Sequence, residues 1–232
     1  KGEFSILKSE IPVLDFKPTH EGKEIWDQWI WGQINRILPI KFAARFLAIE
    51  SSRIGDFPEK RKFNKIVSEE ARRFGLYLKN YDSTSKKSRD KKLSTGFPIG
   101  EKIENSLNRY WSQFVGYQKK KDGTLTGALF DMSFANLFTD DDGILRIGLH
   151  PEGKKFAQLK NPVLDNNNFI NSLSEEEINF YLEHIRSYVP GEVSLFSILL
   201  EFLENGVERR EIMNIELAKQ VKGSGWSEGL VS

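Results

Sequence analysis

Residues 124–159, TLTGALFDMSFANLFTDDDGILRIGLHPEGKKFAQL, decide how the rest of the chain is read. Leu125, Leu129, Met132, Ala135 and Phe138 recur every three or four positions, which predicts a helix over 124–138. Asp140, Asp141, Asp142 and Gly143 read as a tight hairpin turn, and residues 144–149 as a short strand. Pro151, allowed in the first turn of a helix, opens a short one through Phe156 and Leu159 that Asn161 and Pro162 end. Helix, hairpin turn, strand, helix is the order of a winged helix-turn-helix unit, with the turn at 140–143 as its wing.

Upstream, a helix is predicted over 101–115, with Ile103, Leu107, Tyr110, Trp111 and Phe114 on its buried side. Residues 81–93, YDSTSKKSRDKKL, have almost no apolar content and read as a mobile basic loop. A helix over 59–79 buries Phe63, Ile66, Val67, Phe74, Leu76 and Leu78, and turns Lys60, Arg61, Lys65, Arg72 and Arg73 outward. Pro39 opens a helix through Phe42, Phe46 and Ile49, closed by Ser51, Ser52 and Gly55. An aromatic helix is expected over 23–37, after an extended stretch broken by Pro12 and Pro18. Downstream, Ser174 with Glu175, Glu176 and Glu177 has the form of a capped helix start. Pro190 begins another helix, stopped at Asn205 and Gly206, and a third is expected over 207–219.

The expected fold is mainly α with small β wings. The expected division is an N-terminal helical domain over 1–164, ending in a winged-helix unit, and a second, incomplete winged-helix-like unit over 165–232. No cysteine is present, which removes disulfides, thiol nucleophiles and Cys-ligated zinc and suits a reducing compartment. No run approaches the ~20 apolar residues of a membrane span. A cytoplasmic location and no membrane partner are therefore expected.

The net charge of +1 conceals a segregation. Between Arg53 and Lys121 stand 18 Lys and Arg against 8 Asp and Glu, a net of +10, so the remaining residues carry −9. A basic block of this kind calls for a polyanion, because Lys and Arg bound to phosphates release counterions.

The run LRIGLHPEGKKFA at 145–157 has the cadence of a final wing strand turning into a closing helix. LEHIRSYVP at 182–190, leading into ILLEFLENG at 198–206, is similar to the junction between tandem winged-helix subdomains in type IIS restriction endonucleases of the FokI kind. The resemblance covers roughly residues 140–225. It implies sequence-specific recognition of duplex DNA by a lobe that does not itself cut, as part of a restriction, defence or regulatory protein. The acidic balance after Asp165 departs from what a DNA-facing second subdomain requires.

Double-stranded DNA is thus the expected partner, with no cofactor and no metal. The expected phosphate contacts are Lys86, Lys87, Arg89, Lys91 and Lys92 of the basic loop and Lys119, Lys120 and Lys121 of the following polar turn. Asn108, Arg109, Ser112, Gln113, Thr124 and Thr126 are candidates for base or backbone contact. Asp131 counts against the helix before the wing as the one entering the groove, since phosphate repels it. Two rival readings stand beside this one. Glu10 with Asp15 and Lys17 fits loosely the acid and (Asp/Glu)-x-Lys pattern of metal-dependent nucleases. The acidic C-terminal half could instead dock a protein partner, in a helical interaction module whose basic half only solvates. His20, His150 and His184 lack ligand or triad companions nearby in sequence, and Trp26, Trp29, Trp31 and Trp111 sit at helical spacing among apolar residues, as core.

Overall fold

The structure is a computed structural model that describes residues 10–15, 36–84, 88 and 92–206. The helices expected over 23–37 and 207–219 lie outside the described residues, as do Lys17, His20, Trp26, Trp29 and Trp31.

The centre is α1 (Ile37–Ile54), whose residues from Leu38 to Ala48 are all buried. Pro39 sits in its first turn, and Gly55, at φ 69°, ends it by donating its N–H to the carbonyl of Ser51. Against α1 packs α2 (Lys60–Thr84), burying Phe63, Val67, Ala71, Gly75 and Leu78 at spacings of three and four. At Gly75 a Cβ would stand 2.5 Å from that of Phe97, so glycine lets the returning segment lie flat on the helix. The helix runs five residues beyond Lys79. Tyr81 packs its ring on Phe169 at 4.5 Å, and Asp82 is buried, accepting the N–H groups of Leu93 and Ser94. Residues 81–84 are therefore helix, not the start of the expected loop; a buried carboxylate holding two amides outweighs the polar composition.

The segment returning from 92 to 100 leads into α3 (Ile103–Tyr110), which continues as a π-helical turn (Trp111–Val115). The strands β1 (Tyr117–Gln118) and β2 (Leu125–Thr126) pair as a short antiparallel hairpin. One helical turn, α4 (Ala128–Asp131), precedes the larger hairpin of β3 (Ala135–Thr139) and β4 (Leu145–Leu149). The helices α5 (Pro151–Gln158), α6 (Pro162–Asn166), α7 (Glu175–Tyr188) and α8 (Pro190–Glu204) follow. The fold is mainly helical with two small antiparallel sheets.

The helix expected over 124–138 is thus replaced by a strand, one turn of helix and a second strand. Gly127 (φ 117°) breaks the run, because a Cβ there would stand 2.2 Å from the Cα of Gly116. Ser133, at φ 54°, breaks it again. All residues from 127 to 136 are buried, so the stretch has no polar face, and the three-to-four spacing of its largest apolar residues was no signature of helix. The expected turn at 140–143 does form: Asp140 accepts the N–H groups of Asp142 and Ile144, and Gly143 takes φ 77°. Beside β4, Leu14 donates its N–H to the carbonyl of Leu149 at 2.8 Å.

The starts of the C-terminal helices follow local chemistry. Pro151 and Pro190 open α5 and α8, Asn161 caps α6, and Ser174 with Glu177 forms a reciprocal capping box on α7. The core is aromatic: Phe42, Phe74, Phe97 and Tyr110 pack between α1, α2 and α3, and Phe134, Phe156, Phe180 and His184 stack between β3, α5 and α7. His150 is buried as well, and burial pushes its pKa down to about 4.

Contacts cross the expected boundary at residue 164. Lys41 of α1 is buried and pairs with buried Glu177 of α7 at 2.9 Å, also donating to the carbonyls of Phe156 and Leu159. One turn on, Arg45 forms a two-pronged pair with Asp165 at 2.9 and 3.2 Å and donates to the carbonyls of Ala157 and Leu159. Two α1 cations thereby satisfy the open carbonyl end of α5, where the helix dipole favours positive charge. Among the described residues no helix is long and apolar enough to cross a membrane.

Candidate nucleic-acid interface

Inward, α3 and its π turn hold the core through Tyr110, whose hydroxyl donates to the carbonyl of Pro39 at 3.1 Å, and through Phe114 and Val115. Outward they present Asn105, Asn108 and Arg109 fully, and Ser112 and Gln113 in part. The π turn adds a residue to the register, which lets consecutive Phe114 and Val115 both reach the core while Trp111, Ser112 and Gln113 stay near the surface. Ile103, expected on the buried side, is 52% exposed, and Leu107 and Trp111 are only half-buried. The helix start stands away from the core, and the pattern's first member has nothing to pack on.

A groove flanks each side of this helix. The first, about 230 Å³, lies against the first half of α2 and is lined by Arg61, Lys65, Glu69, Glu104, Asn108 and Trp111. Trp111 donates its indole N–H to the Asn108 carbonyl oxygen at 3.1 Å. Behind it Lys60, 5% exposed, donates to the Asn64 side chain and lies 5.4 Å from the Trp111 ring centre. The second groove is a cleft of about 810 Å³ between the end of α2, the 92–100 segment and α3. Arg36, Lys79, Lys92 and Arg109 line it, with Gln113, Ser94 and Thr95. Its one acid among the described residues, Asp82, is buried and turned onto backbone amides.

Of the residues singled out in the sequence, Lys92, Arg109 and Gln113 share the cleft, and Asn108 faces the opposite groove. Ser112 lies between them and bonds the carbonyl of Arg109. Lys119, Lys120 and Lys121 form the turn of the β1–β2 hairpin, with the last two exposed. Thr124 closes that turn by donating its N–H to Asp122, which holds the Asp122 carboxyl below its usual range, and Thr126 pairs with Tyr117. Lys86, Lys87, Arg89 and Lys91 lie outside the described residues.

The basic face expected on α2 divides. Lys60 is buried, Arg72 donates to the carbonyls of Pro98 and Gly100, and Arg73 pairs with Glu70, which leaves Arg61 and Lys65 facing outward. Asp131 is buried and accepts the N–H of Gly127, so its charge serves the α4 turn and not a surface. Sequence reading missed Arg36, Lys79, Ser94 and Thr95; Asp82 and Gly75 fold the 92–100 segment back along α2, which brings Ser94 and Thr95 to the cleft that Arg36 and Lys79 also line. Glu10 and Asp15 are exposed. Among the described residues no group of three or more His, Asp or Glu stands close enough to hold a metal ion.

Lys60 gives this face a pH dependence. Burial lowers its pKa from 10.5 to about 7. Between those values the unfolded chain binds a proton the folded chain does not, so stability should rise with pH across that window. Below pH 7 both states are protonated and the cost of the buried charge is fully present. Lys60→Met should therefore be more stable than the parent at pH 6, by up to about 5 kcal/mol. The gap should close toward pH 10. Urea unfolding at intervals from pH 6 to 10 measures the difference; parallel curves would show that Lys60 does not titrate in this range.

No family model, no curated protein and no solved structure matches the chain.

Proposed function

We propose that this chain binds double-stranded DNA, with α3 as the helix presented to the major groove. The observation that carries the reading is the polar outer face of α3, held between two grooves that together present five cations outside any ion pair among the described residues. Arg61, Lys65, Lys79, Lys92 and Arg109 make no ion pair among the described residues. A major groove about 12 Å wide admits one helix, and cations on either side of that helix meet the two phosphate backbones. Asn105 and Asn108 supply the amide chemistry that reads adenine, and Arg109 the chemistry that reads guanine.

In this reading the winged helix-turn-helix assignment shifts between hairpins. The turn of β3–β4 carries Asp140, Asp141 and Asp142, which phosphate repels, and Asp140 is occupied by two amides and Arg146. The β1–β2 hairpin follows α3 directly and carries Lys119, Lys120 and Lys121 at its turn, so it is the wing that grips the backbone. The resemblance to the recognition lobes of type IIS restriction endonucleases supports the same function, recognition without cutting, in a restriction, defence or regulatory protein.

Selection from a random duplex pool tests the role of α3. The parent should enrich a motif, and Asn105→Ala with Asn108→Ala should lose discrimination at one or two positions, by roughly tenfold each. An identical motif from parent and variant would remove α3 from the groove.

A second reading has its own observation. On α7 and α8, Leu182, Phe196 and Leu200 are 61, 60 and 59% exposed, on helices that also carry Glu183, Glu201 and Glu204. An apolar face of this kind supports a protein partner at the C-terminal half.

A further inference from the structure

We infer that the cleft between α2, the 92–100 segment and α3 is a binding site for a small ligand bearing a phosphate chain, of nucleoside polyphosphate size. The inference does not rest on duplex binding. At about 810 Å³ the cleft falls within the roughly 300–1,000 Å³ of small-molecule sites. Lys79, Lys92 and Arg109 converge on it without an ion pair among the described residues, and Arg36 completes the wall. Three such cations in one concavity match a chain of phosphates better than a single carboxylate, because each ammonium or guanidinium takes a separate oxygen.

The rest of the lining fits the same ligand. The acid that would repel it, Asp82, is 2% exposed, with its two oxygens on the amides of Leu93 and Ser94. The Asp82 carboxylate thereby fixes the bend that brings Ser94 and Thr95 to the cleft wall. Gly96, at φ 94°, keeps the floor low; a Cβ there would stand 2.8 Å from Pro39. Beneath it Phe97, Tyr110 and Phe114 make the base rigid and apolar, and Pro98 and Ile99 offer an apolar edge beside the cations. The lining therefore combines cations for a phosphate chain with an apolar surface for an uncharged ring.

Calorimetric titration of the full chain with tripolyphosphate and with ATP, in low salt and without DNA, tests the site separately from duplex binding. Saturable one-to-one binding is expected for at least one of them. Lys92→Ala with Arg109→Ala should weaken it at least tenfold with no change in melting temperature, since both side chains are exposed. Tighter binding of ATP would assign the ligand to nucleotides, and equal binding would assign it to the phosphate chain alone; either supports the site. Absence of saturable heat from both at millimolar concentration, or unchanged affinity in the double variant, would overturn it.

Discussion

Glu177→Ala should lower the unfolding free energy by about 3–5 kcal/mol, the usual cost of leaving one partner of a buried ion pair alone. Glu177 has no exposed surface. Its carboxylate takes the Lys41 ammonium at 2.9 Å, the Asn161 amide at 2.9 Å and the N–H of Ser174 at 2.8 Å. Burial already pulls the Lys41 pKa down to about 8, with Glu177 the main influence holding it up. Without Glu177 Lys41 would stay buried beside Arg45 with two carbonyls and the more distant Asp165 charge for company, and α7 would lose the Glu177 half of its capping box. Adding Lys41→Met should recover part of the loss, because the stranded charge goes with it. Urea unfolding at pH 7 measures both variants. A loss below about 1 kcal/mol for the single variant would show the pair to be solvated and the α1–α7 contact loose.

The partners in that network show what the sequence disclosed. The Ser174 capping box, the Asn161 cap and the prolines opening α5 and α8 were readable because each acts within three or four residues of itself. Lys41 and Arg45 were not. They sit in a stretch of α1, residues 40–49, otherwise of Phe, Ala, Leu and Ile, and their partners lie more than a hundred residues away. The hairpin of β3 and β4 was half legible: its turn and second strand were marked by Asp140, Gly143 and the alternating run after it. Its first strand was hidden because its start, Ala135 and Asn136, continues the fully buried run from 127, and the three partly covered or exposed residues after them are too few to set a period. The candidate site divides in the same way. Arg109 and Gln113 stood out on an amphipathic helix, whereas Lys79 needed the fold-back of the 92–100 segment to become part of a site.

Replacing Lys119, Lys120 and Lys121 together with alanine should weaken binding to every duplex about equally, by roughly tenfold to a hundredfold at moderate salt. These lysines occupy the turn of the β1–β2 hairpin, whose backbone is closed by Lys119 with Thr124 and by Asp122 with Thr124. None of those bonds uses a lysine ammonium, so the melting temperature should hold. Contacts to phosphate position a protein without reading bases, so the preferred motif should also hold while the dependence of affinity on salt becomes shallower by roughly one unit for each lost contact. A variant that lost the motif and kept its salt dependence would place the hairpin against bases instead.

The central claim, duplex recognition by the α3 face, is tested most directly by fluorescence anisotropy of a labelled duplex titrated with the parent chain over a range of salt. Saturable binding at about 50 mM salt is expected, with log affinity falling linearly against log salt by several units per decade, as the release of several counterions requires. Absence of binding to random and selected duplexes alike at that salt, or binding indifferent to salt, would contradict it.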